Sequence, residues 1–156
     1  PGSTIANNSE LITWVTTFIN TNSCSSMVDM GCGQLQWVTQ VLDGITYTGV
    51  DWVTNINNTN KTNYPSYTFL TENIAISSFS NNSTYDILIC KDVIHHSLPD
   101  VNQIITNIGN INASHKIIIV PEAVRETYND TLTGNGYTLT KSYSADELKN
   151  IYLNSN

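Results

Sequence analysis

The sequence predicts an α/β domain built on an open parallel sheet with helices on its faces. Three observations carry that prediction. Short apolar runs alternate with stretches of helical spacing along most of the chain. Two runs, Tyr85 to Cys90 (YDILIC) and Lys116 to Val120 (KIIIV), are nearly unbroken, as expected of strands buried on both faces of a parallel sheet. Ser26 to Asp51 reads as strand, glycine-rich turn, helix and strand, ending on an acid.

The elements follow in order. Pro1-Gly2-Ser3 lacks an initiator methionine and looks like a protease-cleavage scar, so the natural start is out of view and residues 4–156 are expected to form one domain. Glu10 to Asn20 has apolar residues at 11, 12, 14, 15, 18 and 19, a helical face that Ser9 would cap. After a polar turn, Met27 to Met30 is the first strand. Leu35, Val38, Val41 and Leu42 predict a crossover helix over Leu35 to Leu42, and Thr46 to Val50 the second strand. Asn55 to Pro65 is so polar that only a short helix or a loop is expected. Tyr67 to Leu70 suits a third strand, Ile74 to Phe79 a loop or short helix, and Asn81-Asn82-Ser83 a turn. Val101 to Ile111 carries a helical face, and the strand Lys116 to Val120 stops at Pro121. In the tail, Glu122 to Asn129 suits a helix and Tyr137 to Tyr143 a strand, and Ser144 opens a last helix with a capping-box-like start.

Composition narrows the function. The 156 residues suffice for one domain with a genuine core. Thirteen acids against six bases give a net charge of −7, with no Lys/Arg cluster, which disfavours a nucleic-acid partner. No run approaches the roughly 20 apolar residues of a membrane span. Asn, Thr and Ser take the place of charged residues and create sequons such as Asn57-Asn58-Thr59 and Asn81-Asn82-Ser83, read here as composition rather than as the mark of a secreted glycoprotein. The three cysteines, Cys24, Cys32 and Cys90, are odd in number and not in metal-ligand spacing. Reduced thiols in a cytoplasmic protein without a metal site are therefore expected.

The glycine pattern selects among nucleotide-binding turns. G-x-G-x-x-G would need a glycine where Gln36 stands, and no P-loop motif is present, which argues against a nucleotide-dependent dehydrogenase. What remains is D-x-G-x-G at Asp29 to Gly33, then Gly49-Val50-Asp51. Such glycines let backbone approach a ligand closely, and an acid at the tip of the second strand can hold a ribose diol. Asp29-Met30-Gly31-Cys32-Gly33, Tyr47-Thr48-Gly49-Val50-Asp51 and Asp86-Ile87-Leu88-Ile89-Cys90-Lys91-Asp92-Val93-Ile94-His95-His96 resemble three signature segments of the class I S-adenosylmethionine-dependent methyltransferases, in the right order, within the subset carrying a D-V-x-H-H run. The likeness spans roughly Met27 to Val120.

The resemblance implies a Rossmann-like fold whose C-terminal antiparallel portion is shortened here, since the chain ends soon after Tyr143-Ser144-Ala145-Asp146-Glu147-Leu148. It implies S-adenosyl-L-methionine as cofactor. Gly31, Cys32 and Gly33 would meet its methionine part, with Asp29 near the amino group. Asp51 would take the ribose hydroxyls, and Trp52 would offer a plane to the adenine. Glu72, Asn73 and Ile74 would lie near the adenine, and Cys90 and Lys91 would complete the lining. Leu35 replaces a third glycine common in the family, while Trp37 echoes a subset with tryptophan there. Asp92, His95 and His96 are the catalytic candidates, with His96 or His95 as general base for a hydroxyl or amine acceptor. A histidine that merely bonds a loop carbonyl is the open alternative. The elements of adenine or glutamine amino-methylation and of ribose methylation are missing. The expected acceptor is a small molecule or a group presented by a partner. A catalytically idle cofactor-binding or scaffold subunit is the second reading, with a partner subunit or a homo-oligomer in view.

Overall fold

The computed structural model describes residues 4–75, 79, 81–94 and 101–119. Among them five strands, β1 (Ser26–Met30), β2 (Thr46–Asp51), β3 (Thr68–Thr71), β4 (Tyr85–Lys91) and β5 (Ala113–Ile119), form one parallel sheet in the order β3-β2-β1-β4-β5. The order reverses between β1 and β4, the point at which open α/β sheets leave a crevice at their carboxyl edge. Register sets Met30 beside both Val50 and Cys90, so β1, β2 and β4 finish together. This is the Rossmann-like sheet expected from the sequence.

Alternation along the strands splits the core in two. Met27, Tyr47, Ile87 and Ile89 face one side, where Val15 and Ile19 of α1 (Ser9–Thr21) cover them. Val28, Met30, Leu88 and Cys90 face the other, under Ile104, Ile105 and Ile108 of the helix over Val101–Gly109. Ser9 begins α1 rather than capping it, and the preceding Asn8 makes no side-chain cap. At the amino edge of the sheet, Asp86 Oδ2 accepts hydrogen bonds from the backbone N–H and the hydroxyl of both Ser25 and Ser26, at 2.7 to 3.0 Å. Those bonds, led by the Ser25 amide, hold its pKa below the ordinary carboxylate value and tie β1 to β4.

Two connections differ from expectation. The crossover from β1 to β2 contains a 3-10 turn over Val38–Val41 instead of a helix over Leu35 to Leu42. Leu35 stands at φ +59°, a left-handed conformation that an α-helix cannot include, and Asp43-Gly44 ends the segment a few residues later. Gly31 (φ +81°), Gly33 (φ +53°) and Leu35 thus share one backbone sign, and the third member lacks the glycine that would relieve it. Burial holds it there, because the Leu35 side chain is 1 % exposed in the core with Trp37 and Val38. Leu35→Ala and Leu35→Gly should each lower stability by about 3 kcal/mol, the loss for a buried leucine. Glycine should be at least as stable as alanine, reversing the usual order. A melting temperature higher for alanine than for glycine would contradict the left-handed assignment.

The second difference is α2 (Thr54–Asn63), a ten-residue helix where at most a short one was expected. Its buried residues are Asn57 and Asn60, so hydropathy carries no sign of its inner face. Asn57 is fully buried, which a glycan on its sequon would not permit in the folded chain. The third strand runs over Thr68–Thr71, one residue later than its apolar run suggests. Among the described residues, no helix is long and apolar enough to cross a membrane. The shortened antiparallel portion and the expected tail elements lie outside the described residues.

Candidate functional site

The crevice at the carboxyl ends of β1 and β4 contains a cavity of about 50 Å³. The turn from Gly31 to Trp37 lines it, together with Asp29 and Lys91. Asp29 is the penultimate residue of β1 and nearly fully buried. Tyr47, eighteen residues on in β2, donates its hydroxyl to Asp29 Oδ2 at 2.9 Å. Burial pushes the Asp29 carboxyl up to about 7; nearby Asp51 adds to the rise, while the Tyr47 bond and the Lys91 charge oppose it. Lys91, at the end of β4, pairs with Asp92. The site therefore sets a buried acid that is reluctant to ionise beside a mostly buried ammonium.

The glycine turn is shaped by what touches it. Gly31 N and Cys32 N both donate to Val50 O, at 2.7 and 3.0 Å, folding the turn onto the end of β2. A Cβ at Gly31 would lie 2.2 Å from Val93 Cγ2, so the residue after Asp92 packs directly on the turn and only glycine leaves room. At Gly49 a Cβ would meet Phe69 at 2.9 Å and Cys32 Sγ at 3.0 Å. At Gly33, by contrast, nothing among the described residues lies within 4 Å of a built Cβ. The turn is thus closed behind Gly31 and open at Gly33.

Asp51 ends β2 and uses both oxygens on backbone: Oδ2 accepts from Gly33 N at 3.0 Å and Oδ1 from Val53 N at 2.9 Å. Each oxygen keeps further acceptor capacity. Trp52 follows, about half exposed. Glu72 N donates to Asp51 O, which brings the start of the Glu72-Asn73-Ile74 segment to the end of β2. Asn73 Oδ1 accepts from Ala75 N, and Ile74 is buried with its carbonyl taken by Asn107 Nδ2. Only the Glu72 backbone is shown at the end of β2, and none of the three lines the cavity.

The structure thus brings together Asp29, Gly31, Cys32, Gly33 and Lys91 around one cavity, with Asp51 hydrogen-bonded to its glycine turn. Cys90 is not among them. Alternation turns it to the sheet face opposite Tyr47, and it is wholly buried there. Burial raises the thiol pKa of both Cys32 and Cys90, leaving them neutral. Asp92 takes a left-handed backbone (φ +57°) and donates its N–H to Ile119 O at 3.0 Å. His95 and His96 lie outside the described residues. Sequence reasoning missed Tyr47 and the two buried asparagines of α2. An N-x-x-N spacing on one helical face was the available signal for the latter.

Residues 28–120 match a family model described as a methyltransferase domain. No curated protein matches the chain by sequence. Solved structures do match by fold. A Nostoc punctiforme protein assigned as an O-methyltransferase has a TM-score of 0.67 and 16% identity, over 95% of this chain and 50% of that one. A TehB-like SAM-dependent methyltransferase from Corynebacterium glutamicum has a TM-score of 0.63 and 12% identity, over 90% of this chain and 71% of that one. The plantazolicin methyltransferase BpumL, in complex with S-adenosylhomocysteine (SAH), has a TM-score of 0.57 and 18% identity, over 70% of this chain and 44% of that one. The chain spans about half the length of most of these structures, and at such identities the likeness is one of fold. The family match, which runs from β1 through β5 and covers more than half of the sequence, goes further: the chain belongs to the methyltransferase domain family.

Proposed function

We propose that the chain binds S-adenosylmethionine and serves transfer of its methyl group to an oxygen or nitrogen nucleophile on a small molecule or on a group presented by a partner. One observation carries the reading: a buried acid, a mostly buried ammonium and an open glycine turn meet at the switch point of the sheet, with the β2 acid bonded to that turn. These residues fit the cofactor. Asp29 offers a carboxylate to an ammonium, Lys91 an ammonium to a carboxylate, and the turn is open at Gly33. The cavity lining is suited to the amino-acid end. Asp51 and the half-exposed Trp52 then provide for ribose and adenine along the crevice.

When bound, the cofactor supplies a methyl group already activated on a sulfonium, so the protein's share is to hold the acceptor in line and exclude water. Val93, packed on Gly31, couples the segment leading to His95 and His96 to the turn. We assign proton removal from the acceptor to His96 or His95, with Asp92 holding Lys91 beside the cavity. The second reading, a cofactor-binding subunit without turnover, is favoured by Leu35, a residue of the cavity lining at the position where the family's motif commonly has a third glycine.

Calorimetric titration with S-adenosylmethionine and with SAH tests the proposal, with NAD as control. Both sulfur ligands should bind and NAD should not. Absence of heat with either sulfur ligand would leave a methyltransferase fold without its function. Binding without methyl transfer in an acceptor screen would select the second reading.

A further inference from the structure

The asparagine-rich helix α2 has an inner face aimed at the cofactor turn. Asn60, 3 % exposed, donates its Nδ2 to Gly33 O at 2.7 Å. Since Gly33 N already donates to Asp51 Oδ2, both backbone polar groups of this glycine are held, one by β2 and one by α2. One helical turn earlier, Asn57 donates its Nδ2 to Asp51 O (2.8 Å), Leu70 O (3.1 Å) and Thr71 Oγ1 (3.0 Å). Its Oδ1 is buried and has no hydrogen-bond partner among the described residues. Turning the amide over would set that oxygen against two carbonyls, so the contacts themselves fix its orientation. An unpaired buried acceptor costs free energy, which the three contacts at the ends of β2 and β3 offset. A helix whose purpose was only to cover the sheet would place apolar residues at these positions.

We propose that Asn60 and Asn57 are positioning residues that preorganise the cofactor grip, Asn60 acting on the methionine-side turn and Asn57 on the ribose-side strand end. This deepens the proposed function and rests on it. A glycine turn that is free to rotate has to be ordered at the moment of binding, at the expense of affinity. Here Asn60 orders it beforehand. The ligand feels Asn60 through Gly33, and only in its amino-acid portion.

That division gives a test that general loosening of the fold would not mimic. SAH carries the amino-acid portion and adenosine lacks it. Both would be titrated into the wild-type chain, Asn60→Ala, the milder Asn60→Ser, and Thr59→Ala, which alters an exposed residue of the same helix. Removing Asn60 should weaken SAH about tenfold, the range for one lost neutral hydrogen bond. Adenosine affinity should stay within about twofold, and Thr59→Ala should match wild type for both ligands. Melting curves identify any variant that fails to fold, in which case Asn60→Ser carries the comparison. Wild-type SAH affinity in the folded Asn60 variants overturns the proposal. So does a parallel loss for both ligands, since it would make Asn60 a packing residue. A wild-type chain that binds neither ligand instead sinks the proposed function itself, a result distinct from the other two.

Discussion

Asp51→Ala should weaken binding of SAH by about 100-fold or more, making it the most damaging single change in the site. Two losses combine. The carboxylate is the proposed acceptor for the ribose hydroxyls, and a charged acceptor contributes roughly 1.5–3 kcal/mol to a hydrogen bond. It also holds Gly33 N and Val53 N, at 3.0 and 2.9 Å, so its removal frees the turn and the first residues after β2. Circular dichroism and a melting curve would show that the sheet survives, since Asp51 lies at a strand end. Asp51→Asn retains the shape but turns an N–H toward at least one backbone N–H, and should recover little. Affinity within threefold of wild type in a folded Asp51→Ala chain would reduce Asp51 to a clasp for the loop.

The second large effect is one of pH. Asp29 ionises near 7 in the folded chain, mainly because it is buried, and in the ordinary carboxylate range near 3.8 once unfolded. Between those values the folded state holds a proton that the unfolded state has lost. Stability therefore falls as pH rises through this window, and above 7 the ionised acid costs on the order of 4 kcal/mol. Asp29→Asn removes the dependence. Its melting temperature should gain on wild type as pH rises from 5 to 8. Binding should run the opposite way. An ammonium ligand draws on the ionised form, so affinity for SAH should fall about tenfold per pH unit below 7, with proton release visible as buffer-dependent heat. A flat affinity profile from pH 5 to 8 would remove Asp29 from contact with the ligand's charge.

The sheet was legible because its strands are buried on both faces and read as apolar runs. Tyr85 to Cys90 marks β4 to within one residue, and the run from Lys116 finds β5, which begins three residues earlier, at Ala113. The crossover was misread for a reason internal to its pattern. Leu35, Val38, Val41 and Leu42 satisfy a 3-10 turn as well as an α-helix, and the only trace of the left-handed residue was a glycine that the motif lacks. The helix α2 was invisible because its buried side is amide rather than hydrocarbon. Within the site, the acids and glycines stood out by motif, but the Tyr47 bond to Asp29 depends on the pairing of β1 with β2, a register the sequence does not display. Cys90 could be placed at a strand end by its run; which face it takes follows from pairing and alternation together.

The clasp formed by Asp86 with Ser25 and Ser26 joins residues 60 and 61 positions apart. The whole excursion through β2, α2 and β3 lies between these two neighbours, so the central pairing of the sheet can form only after that long loop has closed. Loop closure costs chain entropy, and contacts so distant in sequence make folding slow. The topology that gathers three strand ends around one crevice therefore also sets the pace of assembly, and the clasp completes a pairing that arrives late.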